Sequence, residues 1–227
     1  MQTKTFRFCS DYKRTKSKRF GFVPIKSFDI DTLFVLSFRS PIPQQAERKN
    51  IYLSSLRYNK NFVNRNALKL LFYVMVHSHL SYCINVYSCA ITTNLQKLRV
   101  KQKEAIRIIC NAGYRDHTIP LFISQKILPL NEMIKFANLK FMHSYTHNKL
   151  PLSFHETWTL NMNRNPNRQL RNANDLFVPA HHFATVKRFP LFTFPLVWNE
   201  ETERKYIPSL LIYSKQLKSA LLASLVD

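Results

Sequence analysis

Residues 80–122 read LSYCINVYSCAITTNLQKLRVKQKEAIRIICNAGYRDHTIPLF, and the middle of that stretch decides the fold. From Asn94, whose side chain can cap a helix, Leu95, Leu98, Gln102, Ala105, Ile106 and Ile109 recur at three- and four-residue steps and share one face. Arg99, Lys103 and Arg107 stack at four-residue steps along one flank, with Lys97 and Lys101 on the other. Like charges at that spacing cost roughly 0.2–0.5 kcal/mol per pair in an isolated helix, a cost that a polyanion would relieve. The element reads either as a helix that contacts backbone phosphates or as a core helix with a wet basic rim. The segment 111–120, NAGYRDHTIP, closes it. Asn111 and Gly113 can supply a left-handed C-cap, and Pro120 discourages continuation.

Working outward, residues 66–87 are also helical in pattern, with Leu68, Leu71, Phe72, Met75, Val76, Leu80, Cys83 and Ile84 as the apolar positions. The tail of that segment, 83–91, can be read as extended, because Ile84, Val86 and Tyr87 favour strands. A short helix is expected over 47–61, with Ile51, Leu53 and Leu56 inward. A further helix is expected over Glu132–Thr146, capped by Asn131, with Ile134, Ala137, Phe141 and Tyr145 inward. Residues 161–175, NMNRNPNRQLRNAND, are Asn-rich and basic and read as a loop. Leu176–Trp198 is aromatic-rich but interrupted by Pro179, Pro190 and Pro195. A last amphipathic helix, about Pro208–Leu225, carries Leu211, Leu217, Leu221 and Leu225, with Lys215 and Lys218 near solvent.

The first 50 residues look different: a polar KRTKSK run, one or two short strands in FDIDTLFVLSF, and the linker-like PIPQQAERKN. The expected fold is therefore mainly α, an irregular multi-helix bundle with a short β or irregular N-terminal segment and a Pro- and aromatic-rich C-terminal part. Its expected divisions are 1–50, a helical unit over 51–160, a basic loop over 161–175, and an aromatic segment with its helix over 176–227.

Composition narrows the function classes. The 227 residues are 45% hydrophobic and 13% aromatic, which supports a core. Two glycines stand where average usage gives about 16, which argues against Rossmann and P-loop phosphate cradles. Against 13 acids stand 34 Lys and Arg, a formal +21, so nucleic acid is the leading partner and an anionic membrane surface its competitor. The longest apolar run near the centre, Leu70–Val76, is far short of the roughly 20 residues a bilayer crossing needs. No membrane partner is expected, and the location expected is intracellular, nucleus or cytoplasm. The run from Lys13 to Arg19 reads as an import signal, a phosphate contact or a solvated segment.

Catalytic and metal chemistry find little material. Cys9, Cys83, Cys89 and Cys110 form no CxxC pair and read as reduced, mostly buried thiols. His79 and Cys83 share a helical face at four-residue spacing, but His77 points elsewhere and Cys89 comes from another segment, so no metal is expected. The adjacent His181 and His182 diverge along either a helix or a strand. Asp29 and Asp31 share a face of a possible strand, yet no further acid lies near to complete a two-metal site. No GxSxG elbow occurs. Tyr114, beside Arg115 and His117 just past the basic helix, is the best-placed aromatic for stacking on an unpaired base. No catalytic residue and no cofactor are expected.

Several segments, in order, resemble one family. Residues 66–90, NALKLLFYVMVHSHLSYCINVYSCA, look like a helix followed by a P-x-L-x-Y-x-x-x-x-W segment, with Ser78-His79 at its start and Tyr87 where Trp is usual. Asn94 through Asp116 resembles an LQKLQxxAxRIIxxxxxxD element, carried by Leu95, Lys97, Leu98, Lys103, Ala105, Arg107, Ile108 and Ile109. Arg168–Arg171 resembles a recurring LR. Phe194–Glu201, FPLVWNEE, resembles a GPxLWNxLP box, with Phe194 in place of its glycine and Glu200-Glu201 in place of its Leu-Pro. Together they are similar to the region downstream of the polymerase core in reverse transcriptases of non-LTR, LINE-like, jockey-type retrotransposons. The resemblance implies a helical thumb-distal or linker region that supports template or element-RNA binding, without the RNA-directed DNA polymerase centre.

Two functions stay open from sequence. One is a non-catalytic fragment that binds RNA or single-stranded DNA non-specifically, and that acts alone or beside the parent retroelement polymerase. It would bind through Arg99, Lys103 and Arg107, extended by Lys97, Lys101, Tyr114, Arg115, Arg168 and Arg171. The other is an inert structural remnant of a degenerate element.

Overall fold

In the computed structural model, residues 52–164, 171–180, 186–201 and 206–226 are described. The first helix, α1, spans 52–59 and buries Leu53 and Leu56, as its spacing predicts. α2 (Arg65–Leu71) starts at Asn64, whose Oδ1 accepts the Ala67 amide at 2.8 Å. The chain then widens into a π-helical segment, Phe72–His77, before returning to α geometry in α3 (Ser78–Ser81). The sequence accounts for the widening. Leu68, Phe72, Val76 and Leu80 are all buried, and they recur every four residues. At about 100° per residue, each such step overshoots a full turn by about 40° in an α-helix. One wider turn rotates the stripe back onto a single face.

That run ends at Cys83, which is left-handed at φ 50° and exposed, so its expected place on the inner face is corrected. The left-handed residue turns the chain before α4 (Ile84–Tyr87), a helical turn where an extended reading was open. The Tyr87 hydroxyl donates to the Leu80 carbonyl across this corner.

α5 (Thr92–Cys110) begins two residues before Asn94. Its cap is Ile91, whose extended backbone presents its carbonyl to the Asn94 and Leu95 amides at 2.9 and 3.3 Å. Its buried positions are Leu95, Leu98, Gln102, Ala105, Ile106, Ile108 and Ile109. Buried Gln102 donates to the Leu128 carbonyl at 2.9 Å. Asn111 closes the helix in the left-handed region at φ 55°. Gly113 does not share that conformation; its amide donates to Asp116 Oδ2 at 2.6 Å. Pro120 opens α6 (Ile119–Gln125) from its first turn, where a missing amide hydrogen costs no helical bond.

α7 (Leu130–Thr146) buries Leu130, Met133, Asn138, Leu139, Met142 and His143. The expected inner residues Ile134, Ala137, Phe141 and Tyr145 are half-buried, and the cap is Pro129 rather than Asn131. The rotation has a cause: α9 (Pro190–Glu200) and α10 (Leu210–Ala223) both pack on α7, so it is covered from more than one side. Between α7 and α9 lie α8 (Asn161–Arg164) and an isolated antiparallel bridge between Leu160 and Leu176. Asn199 clamps that bridge, accepting the Leu176 amide at 3.0 Å and donating to the Leu176 carbonyl at 2.9 Å.

The prolines expected to interrupt the aromatic segment instead shape α9. Pro190 sits in its first turn and Pro195 within it. Pro195 has no amide hydrogen for the Leu191 carbonyl four residues back, and Trp158 Nε1 donates to that carbonyl at 3.1 Å. α10 buries Tyr213, Leu217 and Leu221, whereas Leu211 is 65% exposed and Leu225 lies beyond the helix end. The architecture is a mainly α-helical irregular bundle, with no β-sheet among the described residues. One hydrophobic cluster runs through it from Leu53 to Leu221. The readings placed on residues 1–50, including Asp29, Asp31, Cys9 and the basic run, lie outside the described residues, as do those on His181, His182 and Arg168.

Candidate nucleic-acid interface

The polar side of α5 exists because most of its apolar positions share one face, but its cations are not equivalent. Lys97 and Lys103 are exposed and make no ion pair with any described residue. Lys101 is half-buried and lies 3.3 Å from Glu104 Oε2, while Arg57 pairs with Oε1 of the same carboxylate. Glu104 thus draws in two cations. Arg99 is half-buried; its Nη1 donates to Gln96 Oε1 at 3.3 Å, and its Nε is buried with no hydrogen-bond partner.

Arg107 has a structural task. Its Nε and Nη2 donate to the Asp116 carbonyl at 3.1 and 2.9 Å, tying the turn after the helix back to its last turns. Asp116 in turn accepts the Gly113 amide, and a side chain at Gly113 would press on that carboxylate at 3.2 Å. The turn so fixed projects Tyr114, 87% exposed, with Arg115 and His117 also exposed. Arg171 is exposed beyond α8, and Arg168 lies outside the described residues. Of the expected set, the structure gathers Lys97, Arg99, Lys101, Lys103 and Arg107 on one helix and adds Tyr114 and Arg115 in the turn that follows.

Among the described residues no three His, Cys, Asp or Glu side chains gather as a metal site. His79 Nε2 is 2.8 Å from the Tyr52 hydroxyl, with the two rings stacked at 5.0 Å. Burial pushes the Cys89 thiol up to about 11 and raises Cys110 as well. A raised thiol is a poor nucleophile near neutral pH. No helix among the described residues is long and apolar enough to cross a membrane.

Sequence reasoning missed a second feature. Lys218, expected near solvent, is half-buried beside His77 at a cavity between the π segment, α7 and α10. The signal available was a lysine one position from Leu217 on an apolar helix, and it does not distinguish a cavity rim from a wet surface. Comparison with protein-family models, curated proteins and solved structures finds no match to this chain.

Proposed function

We propose that the chain is a non-catalytic fragment from the C-terminal side of a retrotransposon reverse transcriptase, and that it binds RNA or single-stranded DNA through the outer face of α5. In this reading the protein works in the nucleus or cytoplasm. One observation carries the binding: Lys97, Lys103 and Arg115 stand exposed around the helix and its following turn, while the helix's one carboxylate, Glu104, is already held by two cations and Asp116 in the turn accepts the Gly113 amide. Such a surface attracts phosphate without reading bases, and Tyr114 adds a stacking face that tolerates any sequence.

The rival reading, an inert remnant, draws on Arg107 and Arg99, whose bonds within the chain give them structural reasons to be basic. Fluorescence anisotropy with labelled single-stranded RNA and a matched duplex, across about 50 to about 300 mM salt, separates the two. Binding that weakens steeply with salt and is lost in a helical Lys97→Ala/Lys103→Ala/Arg115→Ala variant supports the α5 surface. Equal binding by both proteins means diffuse charge and leaves the remnant reading ahead.

A further inference from the structure

We propose that the cavity between the π segment, α7 and α10 is a binding site for an amphipathic monoanion: an apolar chain or ring body carrying one carboxylate, of the fatty-acid class. The cavity holds about 600 Å³, within the range of small-molecule sites. Its walls are mostly apolar, with Tyr73 from the π segment, Ile127, and Phe136 and Phe141 from α7. Its charged lining is entirely basic: Lys140 and Lys218, with His77 beside them and no Asp or Glu. Lys140 also lies 5.4 Å from the Phe136 ring centre, so one cation spans wall and rim.

This asymmetry names the occupant. An uncharged apolar ligand would leave the cavity's basic groups without a counter-charge, and a free phosphate would leave the aromatic walls wet. A body that is apolar along its length and anionic at one end satisfies both. The Asn85 side chain also lines the cavity.

The local electrostatics agree with the geometry. His77 is pushed down by burial and then by Lys218, and Lys218 is pushed down by burial and then by Lys69. These groups repel one another across a partly dry space, and a bound carboxylate would relieve the repulsion. No residue of α5 lines the cavity, so the site is separate from the nucleic-acid surface and does not depend on it.

The test is titration of the full chain with 11-(dansylamino)undecanoate, read by dansyl fluorescence, beside the matching uncharged dansyl alcohol. Saturable one-to-one binding of the acid is expected, with the alcohol about tenfold weaker, as for loss of one charge-assisted contact. Lys140→Met/Lys218→Met should weaken the acid by at least the same factor and leave the alcohol unchanged, and Ala137→Phe should block both by filling the space. Lys97→Ala/Lys103→Ala should change neither. Equal affinity for acid and alcohol in the wild-type chain overturns the proposal without any variant. Displacement of the probe by a single-stranded oligonucleotide also overturns it, because the probe would then be reporting the nucleic-acid surface.

Discussion

α5 and α7 are of similar length, 19 and 17 residues, yet they stand in the bundle in different ways. α5 meets its neighbours with one face, and the remainder is mostly polar, with Val100 the one large apolar side chain exposed along it. α7 is packed by both α9 and α10, and its half-buried Phe141 still touches three rings: Phe154, Trp158 and Phe194 at 5.6, 6.3 and 5.2 Å. A helix at the rim of a bundle keeps a free side for partners. A helix packed by two neighbours keeps less, and its half-buried residues do structural work.

Truncations test that contrast with the largest expected effects. On α5, Leu98→Ala should cost about 2–5 kcal/mol, while Val100→Ala on the exposed side should stay within about 0.5 kcal/mol. On α7 no such division is expected. Leu139→Ala should cost about 2–5 kcal/mol and Phe141→Ala about 3 kcal/mol, although only Leu139 is fully buried. Urea unfolding of the four variants measures this, and a silent Phe141→Ala would break the comparison.

The same contrast explains what the sequence made legible. In α5 polar residues fill most positions outside one stripe, so periodicity alone finds Leu95, Leu98, Gln102, Ala105, Ile106 and Ile109. In α7 apolar residues occur around the whole helix, and several stripes compete. Which of Ile134 or Met133 turns inward depends on where α9 and α10 dock, and that is long-range information. Cys83 was misplaced for a local reason, a left-handed residue that resets the phase of the stripe. At the candidate interface the residue types were legible, but their engagements were not. Arg107 and Lys103 look alike in the sequence, and only the turn through Asp116 separates an anchored guanidinium from an exposed amine.

Binding sharpens the comparison further. Under the proposed function, Lys97→Ala/Lys103→Ala on α5 should lower affinity for single-stranded RNA about tenfold near physiological salt. Its log–log salt slope should become shallower by about 0.7 for each phosphate contact removed. Lys135→Ala/Lys140→Ala on α7 should shift both far less, although it removes the same charge. Matched losses from the two pairs would show that position on the bundle is irrelevant and that net charge alone binds.

Acidification should affect the two helices unequally, and the effect is smaller. α5 contains no histidine, whereas α7 contains His143. That ring is fully buried and stacked between His147 at 4.1 Å and Tyr213 of α10 at 4.3 Å. Its Nε2 lies 2.6 Å from the Ile207 carbonyl, which can only accept, so the neutral ring carries its proton there. Burial lowers the His143 pKa, the Ile207 bond opposes that, and His147 and Lys149 add to the lowering. The folded pKa therefore lies below the usual 6.5, and between the two values the unfolded chain binds more protons. The contribution to stability is complete above about pH 6.5 and is lost as pH falls from there through the folded value. His77, lowered by burial and by Lys218, acts in the same direction. Amide exchange at pH 7.5 and pH 5.5 should thus show α7 and α10 losing protection before α5. His143→Phe should reduce that difference without abolishing it, because His77 remains. Equal loss of protection along α5 and α7 would mean that the bundle opens only as one unit, and that the free side of α5 gives it no independence from the core it covers.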